Sequence, residues 1–584
     1  MRRLMLLFAA MLPLVLVAGC AGVPHDSKPQ VIRQVNEAGD NDGPQVNYAP
    51  QKGMEPRQLV QSFLSAGVAA DASHSAARQF LTNDAARKWQ DGAVTVLQDT
   101  RTQLPDITGD TASVQVTGRR VGQLDATGIF TPVLKNAGVG DAETFSYGLK
   151  LVDGQWRIDK LPPGVLINQS DFATYYKPRS LYFFNSSETT LVPDLRYAAL
   201  DGEAAASWMV SQLITGPRTE LAQAVVNNIP DQVDPRRVTV TMSSQITVDI
   251  PGVDQLDGAG KSGLAAQLAY TLSQIQFGVA RIELDDSGRP VSIPSVGKVF
   301  SAESFPDANP DGWSAGSSVF YLNDGKVIDG ASGKPIAGPL GAGAQKPLSS
   351  VALARSKDGT VLAAAVASGP ASASSLLVGT TRQLSPVTLP GPPSGRPEWR
   401  PHTAVVWIGG QNGSLYRAGS NTRPVAVSVT QARGGLPPKR ILALRFSPDG
   451  VRLAAVVEAA DGTSAVWIGT VVSSGTDVRV ESFEPITPAA LQVNDVAWAS
   501  STTVLMLAAQ PNEEWKMWSV QSDGSGLRNF ATTGLPPNPP TAIAATTNQV
   551  ALLSASNSIW AQQGSAWVSL RGSSTLGVNP VYGP

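Results

Sequence analysis

The last half of this chain repeats itself. Arg355-Ser356, Arg400-Pro401, Phe446-Ser447, Trp498-Ala499 and Ala545-Thr546 mark equivalent points at intervals of 45, 46, 52 and 47 residues. That is the blade period of a β-propeller, in which each four-stranded sheet must stack on its neighbours to bury its apolar faces. Asp358-Gly359 precedes the apolar run Val361 to Val366, Asp449-Gly450 precedes Leu453 to Val457, and a degenerate turn precedes Val504 to Leu507. A second strand then carries Val405 to Ile408, Val466-Trp467-Ile468 or Lys516-Met517-Trp518, and nine of the twelve tryptophans lie from Trp313 onward. Asp-Gly suits a tight hairpin in which both central residues take positive φ, so these aspartates are expected as turns rather than general acids. The hairpin at Val319-Phe320-Tyr321 and a C-terminal strand at Val568 to Leu570 are expected to unite in a sixth blade. Five or seven blades also accommodate the period.

The other end of the chain carries an address. Arg2 and Arg3 precede an apolar run from Leu4 to Val17, followed by Ala18, Gly19 and Cys20, the single cysteine of 584 residues. This order of charged, apolar and small residues is that of a cleaved export signal. The run is too short to stay as a membrane helix, which needs about 20 apolar residues. Val17-Ala18-Gly19-Cys20 resembles a bacterial lipobox. The resemblance implies cleavage between Gly19 and Cys20, S-diacylglycerol and N-acyl groups on Cys20, and anchoring on the extracytoplasmic face of the cell membrane. Two acyl chains hold stably where one binds only marginally. Residues 21 to 50, with Pro24, Pro29, Gly43, Pro44 and Pro50 among polar residues, read as a tether that includes His25.

Once Arg2 and Arg3 are removed, 43 basic side chains face 47 acidic ones, which gives no electrostatic footprint for nucleic acid. Without a second cysteine the mature chain has no internal disulfide, so packed cores must hold it together. The 55 glycines and 43 prolines favour many short strands joined by turns.

Between tether and propeller two further units are expected. Leu59, Val60, Phe63 and Leu64 fall at helical spacing, and a second amphipathic segment runs through Ala76, Ala77, Phe80 and Leu81. Strands follow at Val114-Val116 and Phe145 to Leu151, with Asp153-Gly154 turning into Trp156-Arg157-Ile158. Helices followed by a curved antiparallel sheet ending in that hairpin resemble the nuclear transport factor 2-like cone. Such a cone houses either an enzyme pocket or a binding module; its enzymes use an Asp/His pair or similar, and here only His74 is near, as a surface or capping residue.

Next come the strand Leu181 to Phe184, the segment Leu191 to Arg196, a helix with Trp208, Met209 and Leu213 stopped by Gly216-Pro217, the strand Ile246 to Ile250, a helix through Leu264, Leu268, Leu272 and Ile275, and a closing strand Val279 to Leu284. Leu213 to Pro217, Thr247 to Asp249 and Tyr270 to Leu272 resemble three recurring segments of the GerM-type domain, which implies no catalytic activity. Tyr270 is expected in the core. The chain is thus divided into a signal at 1–19, lipidated Cys20 and tether at 20–50, the cone at 51–172, the GerM-like domain at 173–300 and the propeller at 301–584: a multidomain, mainly β protein with two α+β units.

No constellation of ordinary catalytic chemistry is visible. His25, His74 and His402 stand in three different regions and the cysteine is committed to lipid, so no zinc or copper site can be assembled from them. Gly258 to Gly263 has the look of a phosphate loop but lacks its spacing, and reads as a helix-entry loop. Asp285-Asp286 and Glu513-Glu514 read as solvated loop pairs. A propeller glycosidase built from two carboxylates distant in sequence stays open as an alternative, as do glycan binding and a ligand receptor using the cone.

Lipobox, tether, cone, GerM-like unit and propeller together resemble the actinobacterial lipoprotein LpqB family. The resemblance covers nearly the whole chain. It implies a non-enzymatic protein without cofactor or metal that contacts the extracellular domain of a two-component sensor kinase (MtrB) and modulates signalling to MtrA in cell-wall homeostasis and division. Cys20→Ala should move the protein from the membrane fraction to the soluble fraction, as judged by immunoblotting after ultracentrifugation; a variant that stays with the membrane would refute lipid anchoring.

Overall fold

The computed structural model describes residues 49–584 apart from 69–73, 135–141, 231, 276–279, 313–315, 343–346, 370–373, 432–437, 489 and 572–575. Gly19, Cys20, the tether to Tyr48, Val279 and Trp313 lie outside the described residues.

The first folded unit rests on one strongly bent sheet. Its strands are β1 (Val94–Thr102), β2 (Asp106–Thr108), β3 (Thr111–Leu124), β4 (Phe130–Pro132), β5 (Ala142–Val152), β6 (Gln155–Lys160) and β7 (Val165–Asn168). Strand order is β6-β5-β3-β1-β7, with β2 and β4 on β3. Register shifts between Val96 and Leu97 and between Gln98 and Arg101 mark irregularities of the kind that bend a sheet. The hairpin at Asp153-Gly154 uses two left-handed residues, φ 50° and 70°, as its tight turn demands. It forms one edge of the sheet but does not end the unit: the chain returns as β7, parallel to β1 at the opposite edge. The helix Pro56–Ala66 buries Leu59, Val60 and Phe63 in the sheet's hollow.

Two smaller sheets build the second unit. β8 (Lys177–Asn185) and β9 (Leu191–Ala198) form a hairpin, with β10 (Val225–Val226) on the far side of β8. In the other sheet β11 (Thr239–Met242), β12 (Ile246–Asp249), β13 (Ile282–Asp286) and β14 (Arg289–Pro290) lie in sequence order, and β12 runs parallel to β13. The crossover between them is the helix Gly258–Leu272, which packs Leu264, Leu268 and Leu272 against Met209 and Leu213 of the helix Gly202–Thr215.

Here two expectations change. Gly258 to Gly263 is not an entry loop but the first turns of the helix itself, capped by Asp257, which accepts from the Gly260 N–H at 2.8 Å. Gly263 is required by packing, since a Cβ there would lie 2.7 Å from Asn228 Nδ2. Asp285 and Asp286 lie on strand β13 rather than in a loop. Asp286 is buried and accepts the N–H groups of Asp254 and Gly252, which together hold its carboxyl below the ordinary aspartate range. Glu513 and Glu514 are exposed in a turn, and Tyr270 is half-buried edge-on to Tyr182.

The rest of the chain is a ring of six blades, two of which are joined into one eight-stranded sheet by parallel pairing of their outer strands, Val425–Gln431 and Asp477–Pro485. Their innermost strands are Leu348–Arg355, Ser394–Trp399, Pro438–Phe446, Gln492–Trp498, Ala542–Ala544 and Val578–Gly583, each beside the next, and the last beside the first. Ring closure is a joint product of both ends of the propeller segment: Val578–Gly583 pairs with Ser318–Asn323, which pairs with Lys326–Asp329. The closing strand is therefore not Val568 to Leu570; Val568 belongs to Ala566–Ser569, the outer strand of the preceding blade. That segment has an edge-strand pattern with one fully buried position, whereas the true inner strand is interrupted by Pro580, which masked its strand character.

The Asp358-Gly359 and Asp449-Gly450 pairs are turns, though of another kind than expected. In them only the glycines take positive φ, 85° at Gly359 and 72° at Gly450. The aspartate side chains instead accept the N–H two residues on, Thr360 at 3.1 Å and Val451 at 2.8 Å. An aspartate that fixes its own loop has no need of left-handed backbone.

Candidate functional site

All eight residues of β9 are buried, which is unusual for the second strand of an exposed-looking hairpin. The cause is that three domains meet on it. Asp194 is fully buried; its Oδ2 accepts from Arg196 Nη2 at 2.7 Å and from the Arg218 N–H at 2.9 Å, and its Oδ1 accepts from Arg218 Nε at 2.8 Å. Arg196 also donates through Nη1 to the Thr127 carbonyl of the cone at 3.1 Å. From the propeller, Arg452 Nη2 donates to the Pro193 carbonyl, and Ser525 Oγ bonds Tyr197 OH. Val192, Leu221 and Ala224 pack on Val451 and Val472 of the propeller. Burial alone would raise the Asp194 carboxyl, but the Arg218 and Arg196 guanidiniums hold it below the ordinary range.

This clasp covers one mouth of the ring. The segment leading into the propeller adds to the cover: Asp311 Oδ1 accepts the Ser501 N–H at 2.6 Å on one blade and sits 3.5 Å from Thr547 Oγ1 on the next. Ser447, Asp449 and Arg452, an ordinary surface turn in sequence, are buried beneath it.

Inside the ring, three neighbouring inner strands contribute four charges of alternating sign. Arg396 pairs with Asp495, whose Oδ2 also accepts the Ile543 N–H at 2.8 Å. Arg445 lies 3.8 Å from Glu398 and 3.9 Å from Asp495. Burial pushes the Glu398 carboxyl up to about 7, opposed by Arg445 and Arg396 and assisted by Asp495. The remaining void, bounded by all six inner strands, measures about 90 Å³. Ligand pockets start at about 300 Å³. Two carboxylates converge here, and arginines engage both of them. Sequence reasoning missed this cluster. Its one trace is a charged residue one to three positions before the repeat mark in three successive repeats: Glu398, Arg445 and Asp495.

The cone interior is filled. Phe63 stacks obliquely on Trp89 at 5.3 Å and meets Tyr147 at 5.9 Å, with Val114 and Val116 wholly buried beside them. Burial drives the Tyr147 hydroxyl far above its usual range. His74 lies 6.0 Å from Trp89, half-buried rather than on the surface, and its side chain caps no helix. His402 is half-buried in the propeller, where burial lowers its pKa. Among the described residues no group of histidine, cysteine and carboxylate side chains could hold a metal ion, and no helix is long and apolar enough to cross a membrane. An open cleft of about 890 Å³ runs between cone and propeller, lined by Phe130, Phe172, Leu491 and Trp518 and edged by Arg120, which pairs with Glu143 at 2.6 Å.

Removing one member of a buried charge cluster strands its partners, at a typical cost of about 3–5 kcal/mol, against 0–1 kcal/mol for an exposed pair. Asp194→Asn should therefore lower unfolding free energy in urea by about 3 kcal/mol, and Asp84→Asn, at the exposed Arg87 pair, should change it little. Glu398 supplies a pH signature. With its folded pKa raised, the native state binds the extra proton between the unfolded value and about 7, so this residue's contribution falls as pH rises through that window. Glu398→Gln should remove this pH dependence, so that between pH 5 and pH 8 the parent loses about 1–3 kcal/mol more stability than the variant in the same urea assay.

Comparison with known proteins matches three family models along the chain: "Lipoprotein LpqB, N-terminal domain" at residues 49–173, "Sporulation and spore germination" at 180–292, and "Lipoprotein LpqB beta-propeller domain" at 326–583. A protein named Lipoprotein LpqB from Rhodococcus opacus is 30% identical over 554 residues, covering 89% of this chain and 87% of its own. The protein of that name from Mycobacterium tuberculosis is 27% identical over 615 aligned positions, covering 100% of both chains. Among solved structures, TolB from Acinetobacter baumannii aligns with 46% of this chain and 67% of its own at 13% identity and a TM-score of 0.33, a likeness too remote to bear on function.

Proposed function

Because the chain belongs to the LpqB lipoprotein family, we propose that it is a lipid-anchored extracytoplasmic protein that binds the extracellular domain of a two-component sensor kinase of the MtrB kind. In this reading it modulates kinase signalling in cell-wall homeostasis and division. Membrane attachment is through Cys20, and no nucleic acid is involved. The matched families are lipoprotein and propeller families, not enzyme families.

The observation that carries a binding role is a row of exposed turns on the propeller face opposite the clasp. The other mouth is closed by the clasp, whereas the turns joining second and third strands stand exposed at Asp324, Asn412, Asp461, Asn512 and Asn557 in five of the six blades. Four of these take left-handed φ, between 48° and 64°, which keeps the turns short and the face low. A broad rigid face, a filled cone and a plugged channel suit recognition of a protein surface better than capture of a small molecule. To alter kinase output the lipoprotein must bind the two signalling states of the sensor with different affinities.

Residues 21 to 584 without lipid, tested against the isolated sensor ectodomain by surface plasmon resonance, should bind. The combined substitution Gln411→Arg, Asp461→Arg and Glu513→Arg on the open face should weaken that binding about tenfold or more, because a few contacts dominate an interface. Absence of binding, or binding indifferent to these changes, would overturn the reading.

A further inference from the structure

Exposed apolar side chains are scattered singly on most soluble surfaces. Here they are not scattered: of nine large ones exposed among the described residues, four share one tip of the cone sheet. Leu104 is 79% exposed, Ile107 48%, Val152 42% and Leu151 38%. Strand pairing brings them together. Ile107 pairs with Ala112 on β3, the neighbouring Thr111 pairs with Lys150 on β5, and the Leu151 N–H donates to the Asp110 carbonyl at 2.9 Å. Leu151 and Val152, consecutive in a strand, point to opposite faces, so the tip is apolar on both sides.

The same tip receives the N-terminal segment of the folded protein. The Gly53 N–H donates to Gln155 Oε1 at 2.8 Å, and Gln155 pairs with Val152 across the hairpin. The chain that leads back to Cys20 thus joins the fold beside Leu151 and Val152. Residues 21 to 48 separate Cys20 from this point, and on the sequence reading of that stretch as a tether, whatever surface holds the lipid is presented to this tip at high effective concentration.

We propose that the tip formed by Leu104, Ile107, Leu151 and Val152 is a membrane-contacting edge, which dips into the boundary between headgroups and acyl chains of the bilayer that carries the anchor. This rests on Cys20 being lipidated, and not on the identity of the sensor. Apolar residues on both faces of a strand end suit insertion into a fluid apolar layer; docking on a protein would need one face. Depth is limited to the interface, because the unpaired backbone at a sheet end requires water or headgroups. Lys52, Lys150 and Arg101 are exposed on the same end and can meet anionic headgroups, while Asp106, Asp110 and Asp153 there must stay in the wet layer. The tip then sets the orientation of the folded domains on the membrane.

The single native cysteine makes the test direct. In the unlipidated mature chain carrying Cys20→Ser, Leu104→Cys is labelled with an environment-sensitive nitrobenzoxadiazole probe and mixed with vesicles of equal parts phosphatidylglycerol and phosphatidylcholine. The emission should shift to the blue and rise; the same probe at Val550→Cys, an exposed apolar site on the propeller, should stay unchanged. Ile107→Ser with Leu151→Ser should weaken vesicle binding about tenfold or more while leaving binding to the sensor ectodomain intact, which separates this proposal from the kinase reading. No shift at position 104, an equal shift at 550, or a shift produced by the soluble ectodomain without vesicles would overturn it.

Discussion

Everything in this molecule turns on how Asp194 is held. One carboxylate with no exposure to water accepts from two arginines, and those arginines reach the cone and the loop that follows the helix Gly202–Thr215. Two charges taken out of water are costly unless every lone pair and proton finds a partner. β9 meets that condition because the propeller supplies the wall: Arg452, Ser525 and Val451 close the space that solvent would otherwise occupy. The three domains are thereby joined through a polar, geometrically exacting contact set beside apolar ones, which favours one arrangement over sliding alternatives.

That joint decides what the propeller can present. A ring has two mouths, and the clasp together with Asp311 takes one of them. The channel between is filled by Arg396, Glu398, Arg445 and Asp495, whose alternating signs neutralise one another across three blades. A propeller stopped at one end and plugged along its axis keeps only its other face. The cone shows the same economy of space: Phe63, Trp89 and Tyr147 pack against one another in the hollow of its sheet. The exposed apolar tip of the cone sheet and the exposed turns of the propeller lie on different domains.

Much of this was legible in the chain. The repeat interval named the propeller because blade length is set by four strands and their turns, which sequence displays directly. Gly216-Pro217 stopped a helix where a glycine with φ 101° now stands. The errors share a cause as well. Asp285-Asp286 looked like a loop because two adjacent acids suit water, but the N–H groups of Gly252 and Asp254, over thirty residues away, satisfy one of them. Gly258 to Gly263 looked like a loop because glycine weakens helices, yet burial of Leu264 and Leu268 overrides that propensity. Pro580 hid the strand that closes the ring, and the fully buried turn at Ser447 to Arg452 was indistinguishable from the exposed one at Ser356 to Thr360.

The sequence by itself determined the order of domains and the propeller architecture, since periodicities and turn residues are local properties written within a few dozen residues. Only the tertiary structure decided which charges are buried, which propeller face is free and which strand locks the ring. Those outcomes depend on groups brought together from Thr127, Asp194, Arg218, Arg452 and Ser525, and no local pattern reports the desolvation that residues so far apart impose on one another.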